Sequence, residues 1–274
     1  MKYDNPQVPH EVNVSESSHT KTFVRMTIVM ILGIVACFIC IYLFFRFFSA
    51  YIPFSFEQSI TSNLFSEQGV KSPQQDAQKE LQALADKLAA KMNMSDDMPV
   101  QVHLIDSSEK NAFATLGGHL ILTQGLIDMM PSENALAMVM AHEIAHVKHR
   151  DPIVSAGSAL TFNLLLSVVM GGDVGLMEQT SGTLTQLSFS RTQENNADKA
   201  AIDAVKAYYG HTNGAEAFFK IILDEAKHSK APIEFLSTHP DTQRRLERIQ
   251  KSQTGQNKLT PLPEMVKKIQ QNET

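Results

Sequence analysis

The chain has 274 residues, with 24 Lys and Arg against 29 Asp and Glu, a formal net charge of -5 and 43% hydrophobic residues. That supplies enough apolar material for a core, while the acidic balance and the lack of any basic run exclude nucleic acid as a partner. The two cysteines, Cys37 and Cys40, both fall in the most apolar stretch, which excludes a disulfide framework or a cysteine metal site elsewhere.

Residues 1–22 are polar, carry Pro6 and Pro9, and read as a short unstructured tail. From Met26 to Phe45 there is no charge, and a helix of that length is roughly 30 Å long, the thickness of a bilayer hydrocarbon core. A transmembrane anchor is therefore expected over residues 23–48. It should be retained, because the run is long for a signal peptide and Phe48-Ser49-Ala50 lacks the small residues of a cleavage site. Lys21 and Arg25 precede the span and Arg46 follows it, which favours a cytoplasmic N-terminus and, in a bacterial cell, a periplasmic domain beyond the inner membrane.

Residues 49–75 read as a linker. From Asp76 to Met92, Ala77, Leu81, Leu84, Leu88 and Met92 recur at helical spacing and predict an amphipathic helix. Residues 99–105 alternate as a strand does. Residues 111–116 and 119–123 read as two short strands joined by the Gly117-Gly118 turn, giving a small sheet. Ser132 then signals a helix start, with Glu133 in the first turn, and Leu136, Met140 and Ile144 form its buried stripe up to about His149. Residues 152–172 are again uncharged but contain Ser155, Ser158, Asn163 and Ser167, and are expected to form a buried core helix. A crossing there would place the segments on either side of it on opposite faces of the membrane. Helices with short breaks follow from Gln193, the main domain is placed at 76–252, and residues 253–274, with Pro261 and Pro263, read as a loose tail.

The chemistry is concentrated in Ala141-His142-Glu143-Ile144-Ala145-His146, which matches H-E-x-x-H on a predicted helix. Four residues apart, His142 and His146 project from one face and can share one zinc ion, while Glu143 is placed to take a proton from a water. An open catalytic zinc needs a third protein ligand. His149 cannot supply it together with His142, because seven residues separate them by about 10.5 Å along the helix axis. The longer motif with a third histidine also fails, since Pro152 stands where it requires His. A carboxylate is the remaining choice. Glu194 and Asp198 are spaced so that one can ligate the metal while the other accepts a hydrogen bond from a ligand histidine.

Several stretches together resemble the gluzincin zinc metallopeptidases of the HtpX and CaaX prenyl protease type. They are residues 111–118, the helix MVMAHEIAHVKHRD, the set Ser190, Arg191, Glu194, Ala197 and Asp198, and Ser237-Thr238-His239-Pro240 with Arg248. The resemblance spans roughly residues 75 to 250 and implies one Zn2+ on His142, His146 and Glu194, with Glu143 as base and Asp198 supporting a ligand. It also implies that His239 lies near the oxyanion, and that a strand containing Asn111, Ala112, Phe113, Ala114 and Gly117 pairs with an extended substrate. Thr115-Leu116 stands where the family commonly has Leu-Pro. With one expected span, the chain looks more like the single-anchor, periplasm-facing members than like the several-span heat-shock protease.

The fold class expected is α+β, predominantly helical, a zincin-type domain with a small sheet behind one transmembrane helix. The expected function is that of a membrane-anchored zinc endopeptidase acting on unfolded or misassembled envelope proteins. The competing reading is a non-catalytic, membrane-anchored chaperone or assembly factor with a structural zinc. Prenyl-peptide processing within the bilayer would need a membrane-embedded chamber that one span does not supply.

Overall fold

The structure, a computed structural model, describes residues 19–62, 72–159, 189–229, 233–239, 241–253 and 258–271. Helix α1 (His19–Phe48) contains one window long and apolar enough to cross a membrane, and none of that window is buried against the rest of the chain. Apolar on every side and unburied, α1 has the surface of a helix meant for lipid.

A 3-10 turn, Ser49–Tyr51, and Pro53 lead into α2 (Phe54–Thr61), a helix inside the stretch that the sequence reads as linker. It forms because its inner side chains have partners that the local sequence does not reveal. Phe54 is buried with Ala114 and Val147. Glu57 is buried and accepts hydrogen bonds from the Gly117 backbone N–H at 3.0 Å and from Arg150 Nε at 2.9 Å. The following helix α3 (Ser72–Lys91) buries Ala77, Leu81, Leu84 and Leu88 as the spacing predicts.

Strands β1 (Gln101–Ile105), β2 (Ala112–Ala114) and β3 (His119–Thr123) make a sheet in the order β1-β3-β2, with β1 parallel and β2 antiparallel to β3. β2 is therefore an outer strand. The expected glycine turn is a single 3-10 turn, Leu116–Gly118, in which Gly117 has φ +76° and Gly118 φ +83°. A Cβ on Gly118 would stand 2.1 Å from the Pro99 carbonyl oxygen, so the turn requires glycine both for its backbone angle and for close approach.

After the short α4 (Gln124–Asp128) comes α5 (Glu133–Lys148), capped by Ser132, whose hydroxyl accepts the Ala135 N–H. Leu136, Met140 and Ile144 are buried as expected, but so is every residue from 134 to 147. The helix is a central one, packed on α3, on β2 and most extensively on α6 (Arg191–Tyr209). At Arg150 the chain turns through φ +61° and residues 151–159 are again helical. Most of the core helix expected over 152–172 lies outside the described residues. Its beginning touches the anchor, since a Cβ on Gly157 would meet the Phe45 ring at 2.3 Å.

The C-terminal part consists of α6, α7 (Ala217–His228), α8 (Glu234–Thr238), α9 (Thr242–Ser252) and α10 (Glu264–Gln271). α10 falls in the stretch read as a loose tail. It is held because Val266 and Ile269 are buried in the core and Glu80 Oε2 on α3 accepts the Met265 and Val266 N–H groups at 2.8 and 3.2 Å. Met265, Val266 and Ile269 behind two prolines give too short a pattern to read as a helix.

A polar chain links the sheet to α2. Thr61 donates its hydroxyl proton to the Glu57 carbonyl at 3.1 Å, so it accepts from His119 Nε2 at 3.1 Å, leaving His119 Nδ1 to accept from His103 Nε2 at 2.8 Å. Burial first, and then the nearby His103, lowers the His119 pKa to about 4.

Two predictions follow from the backbone and from this chain. Gly118→Ala should destabilise the protein well beyond the about 1–2 kcal/mol that a left-handed alanine costs alone. Gly210→Ala, at φ +78° with open space around it, should cost only that backbone term, and denaturant midpoints of the two variants compare them. For His119 the folded pKa lies below the ordinary 6.5, so below that pH the unfolded chain takes a proton that the folded one refuses. Stability should fall from about pH 6.5 towards about 4, and His119→Gln should flatten that part of a midpoint-against-pH profile.

Candidate metal centre

Helix α5 presents His142 and His146 from one face, with their Nε2 atoms 3.0 Å apart. Helix α6 is started by a capping box in which Ser190 and Gln193 satisfy each other's backbone, and this fixes its first turn. That turn carries Glu194, whose Oε2 stands 3.4 Å from His142 Nε2 and whose Oε1 stands 3.4 Å from His146 Nε2. One turn on, Asp198 Oδ1 is 3.1 Å from His142 Nδ1. Both carboxylates of the predicted pair thus come within 3.4 Å of His142.

Two further groups complete the cluster. His146 Nδ1 donates to Asp151 Oδ2 at 2.8 Å, which holds Nε2 towards the centre. His239, at the end of α8, brings Nδ1 to 3.0 Å from Glu194 Oε1 and Nε2 to 3.3 Å from Glu143 Oε1. One ligand atom from each of His142, His146, Glu194 and His239 lies within 4.8 Å of the others, and all four residues are buried. Phe189 stacks on the His146 ring, 3.9 Å between centroids. His239 is thus placed to be a fourth ligand or a donor to a developing oxyanion.

The donor set fits a metal. Tetrahedral ligands about 2.0–2.1 Å from zinc are about 3.3 Å apart; the two histidine Nε2 atoms are 3.0 Å apart and each has one Glu194 oxygen at 3.4 Å, Oε2 for His142 and Oε1 for His146. Glu194 Oε2 is buried and accepts no hydrogen bond among the described residues. Charge points the same way. Glu143, Asp151, Glu194 and Asp198 are buried, and their cationic partners are Arg245, wholly buried, and Arg248, half-exposed. Two guanidiniums against four carboxylates leave two negative charges, one of them met by a proton on His146 until a dication displaces it and balances both.

Arg245 Nε donates to Asp198 Oδ1 at 2.9 Å and its Nη1 is 3.3 Å from Glu194 Oε2, while its guanidinium lies 4.9 Å over the Phe219 ring. Arg248 Nη1 donates to Asp198 Oδ2 at 2.8 Å. Burial works against the charged form of Asp198, but Arg245 and His142 outweigh it and hold its pKa down at about 2. Glu194 is likewise held far below the carboxylate range, against its burial, chiefly by His142 and His239. Burial also opposes charge on His146, yet Asp151 and Glu194 raise it to about 9, so an incoming metal displaces a proton there.

The outer strand faces this cluster. Thr115 N–H donates to His119 O and Thr123 N–H to Asn111 O, so by antiparallel alternation Ala112 and Ala114 point away from β3. The Ala114 N–H donates to Glu143 Oε2 at 3.0 Å. Asn111 and Ala112 are buried and Phe113 is half-buried. Gly117, grouped with these on the expected substrate strand, has its N–H committed to Glu57 instead.

Asp151, Arg245, Glu57 and Phe189 escaped the sequence reading. Asp151 reaches His146 only because the chain reverses at Arg150, and helical spacing carries no signal for that. Arg245 could have been sought as a partner of Arg248, three residues away on the same helix face. His149, rejected as a ligand on spacing, is exposed at the end of α5. Asp151→Ala should weaken zinc binding by about 10–100-fold in a chelator competition. His149→Ala should leave the affinity unchanged.

The sequence profile of Peptidase family M48 matches residues 75–253. The chain is 31% identical over 161 residues to a beta-barrel assembly-enhancing protease of Escherichia coli (strain K12), covering 54% of this chain and 33% of that protein. It is 28% identical over 198 residues to a "Protease HtpX homolog" of Ralstonia pickettii, covering 57% and 69%. With the mitochondrial metalloendopeptidase OMA1 of Schizosaccharomyces pombe it shares 29% over 160 residues, covering 56% and 47%. The matched region thus spans only about a third of the assembly-enhancing protease. The profile match, though, extends over more than half of this sequence and takes in both helices of the candidate metal centre, and the chain belongs to peptidase family M48.

Proposed function

We propose that the chain is a membrane-anchored zinc endopeptidase, with His142, His146 and Glu194 as ligands, Glu143 as general base and Asp198 and Asp151 orienting the histidines. The observation that carries this reading is the position of Glu143. Its Oε1 stands 3.3 Å from His239 Nε2, within the cluster that His239 forms with His142, His146 and Glu194, and its Oε2 accepts the outward Ala114 N–H of an outer strand at 3.0 Å. A zinc ion held by His142, His146 and Glu194 would supply Lewis acidity to the scissile carbonyl and lower the pKa of the attacking water. Glu143 takes the proton from the attacking water and returns it to the leaving amine. The outer edge of β2 is where an extended chain would pair through its backbone, the Ala114 N–H exchanging Glu143 for a substrate carbonyl, which selects unfolded polypeptide over particular side chains. His239 is placed to donate to the oxyanion of the tetrahedral intermediate.

The substrates proposed are unfolded or misassembled envelope proteins, a reading supported by the name of the Escherichia coli relative and by the single apolar span. Two basic residues before that span, Lys21 and Arg25, against Arg46 after it support a cytoplasmic N-terminus and a periplasmic domain. One observation favours the rival reading of a zinc-stapled, non-catalytic assembly factor. His239 offers a fourth donor, and a site closed by four protein ligands is structural.

Degradation of casein by the full chain in proteoliposomes, wild type against Glu143→Gln, separates the two. The peptidase reading predicts that the variant retains zinc and loses turnover by about 10²–10⁴-fold or more. Equal inactivity of both zinc-loaded proteins would put the assembly-factor reading first.

A further inference from the structure

We infer that α2 lies in the bilayer interface, half-embedded in lipid, and fixes the height of the β2–β3 turn above the membrane. The inference requires only that α1 spans the bilayer and is independent of peptide hydrolysis.

Five residues, 49–53, separate α1 from α2, and three of them are coiled into a 3-10 turn. Even fully extended they would reach only about 17 Å, so α2 starts close to the headgroup region that ends α1. Its surface suits that place. Phe56 is 52% exposed and Ile60 43%, and they continue a patch with Phe47, Phe48 and Tyr51, which are 66%, 51% and 80% exposed. Tyr51 and Phe56 line a mainly apolar depression with Phe44 and Phe45 of α1, Ile52, Pro53, Ser55 and Ser59, so the exposed surface of α2 runs on from that of α1. Aromatic side chains at the end of a span are characteristic of a membrane–water boundary.

The rest of α2 fits the same environment. Its exposed side chains carry no charge, only Ser55 and Ser59 besides the apolar ones, with Gln58 half-buried. Its one charged residue, Glu57, is turned inward and paired with Arg150, Nη2 to Oε1 2.6 Å. Arg150 Nη2 also donates to the Ile52 carbonyl at 2.8 Å, tying the start of α2 to the end of α5. A helix in water gains nothing by hiding its single charge and exposing Phe56 and Ile60. One lying about 5–10 Å into the headgroup and acyl boundary gains from both.

The inner face of α2 grips the turn that closes the outer strand. Glu57 accepts the Gly117 N–H, Thr61 accepts from His119, and a Cβ on Gly117 would stand 2.5 Å from Thr61 Oγ1. One helix diameter, about 10 Å, therefore separates this turn from the lipid contacts of Phe56 and Ile60. The interface sets where the turn sits.

The chain contains no Trp, so single tryptophans report position directly. Phe56→Trp, Tyr51→Trp and, as a remote reference on α7, Ile221→Trp would be placed in the full chain. Each would be reconstituted in vesicles of phosphatidylethanolamine and phosphatidylglycerol, with and without bromine on the acyl chains. The expected result is blue-shifted emission at positions 51 and 56 that loses roughly half or more of its intensity in brominated lipid, with position 221 unaffected. Using two reporters separates misfolding of one variant from a wrong assignment. Red-shifted, unquenched emission at both positions would overturn the inference in favour of a solvated helix. Blue-shifted but unquenched emission at both would overturn it in favour of cover by protein, such as a second copy.

Discussion

The structure depends on one costly act, the burial of four carboxylates and three histidines where α5 and α6 meet. Moving even one ion out of water costs several kcal/mol, so such a cluster persists only when each charge finds a partner. Arg245 supplies much of that compensation. It bridges Asp198 and Glu194 while its flat face rests on Phe219, so an always-charged group is accommodated in the core by two carboxylates and an aromatic ring. The two negative charges left over make a metal site of what would otherwise be a defect. The direction of the shifts agrees, with Glu194 and Asp198 held ionised while His146 holds a proton until a metal takes its place.

A second constraint joins this centre to the membrane. Glu57, Arg150 and the Gly117 backbone form a buried latch in which the helix after the anchor, the end of the metal-bearing helix and the turn of the outer strand share one carboxylate. Each of the three depends on the other two. Arg150 adopts a left-handed backbone, and the same reversal delivers Asp151 to His146, so one turn at the end of α5 serves both the latch and the candidate metal centre. Anchor, strand edge and ligand geometry are therefore mechanically connected over a short path.

Much of this was legible beforehand wherever the pattern was local and long. The anchor, the amphipathic α3, the Ser132 cap and the H-E-x-x-H helix all follow from runs whose period or composition admits one reading. Glu194 and Asp198 were legible as companions of the histidines, because two carboxylates one helical turn apart gain meaning only beside a pair of imidazoles at the same spacing. The residues read as linker and as loose tail were not legible. α2 and α10 are only eight residues each, and what folds them lies far away in sequence, Gly117 and Arg150 for one and Glu80 for the other.

The sequence by itself determined the chemistry, because ligand type and helical spacing fix which atoms can share an ion. It also determined the anchor, because a run of uncharged residues has no better place than lipid. Only the tertiary structure decided what surrounds that chemistry: the reversal that brings Asp151 back, the guanidinium between Glu194 and Asp198, the Ala114 N–H aimed at Glu143, and the helix that ties the strand edge to the anchor. Those contacts join residues tens of positions apart, and their energy comes from excluding water around paired charges. Such an energy exists only once the chain has closed around them.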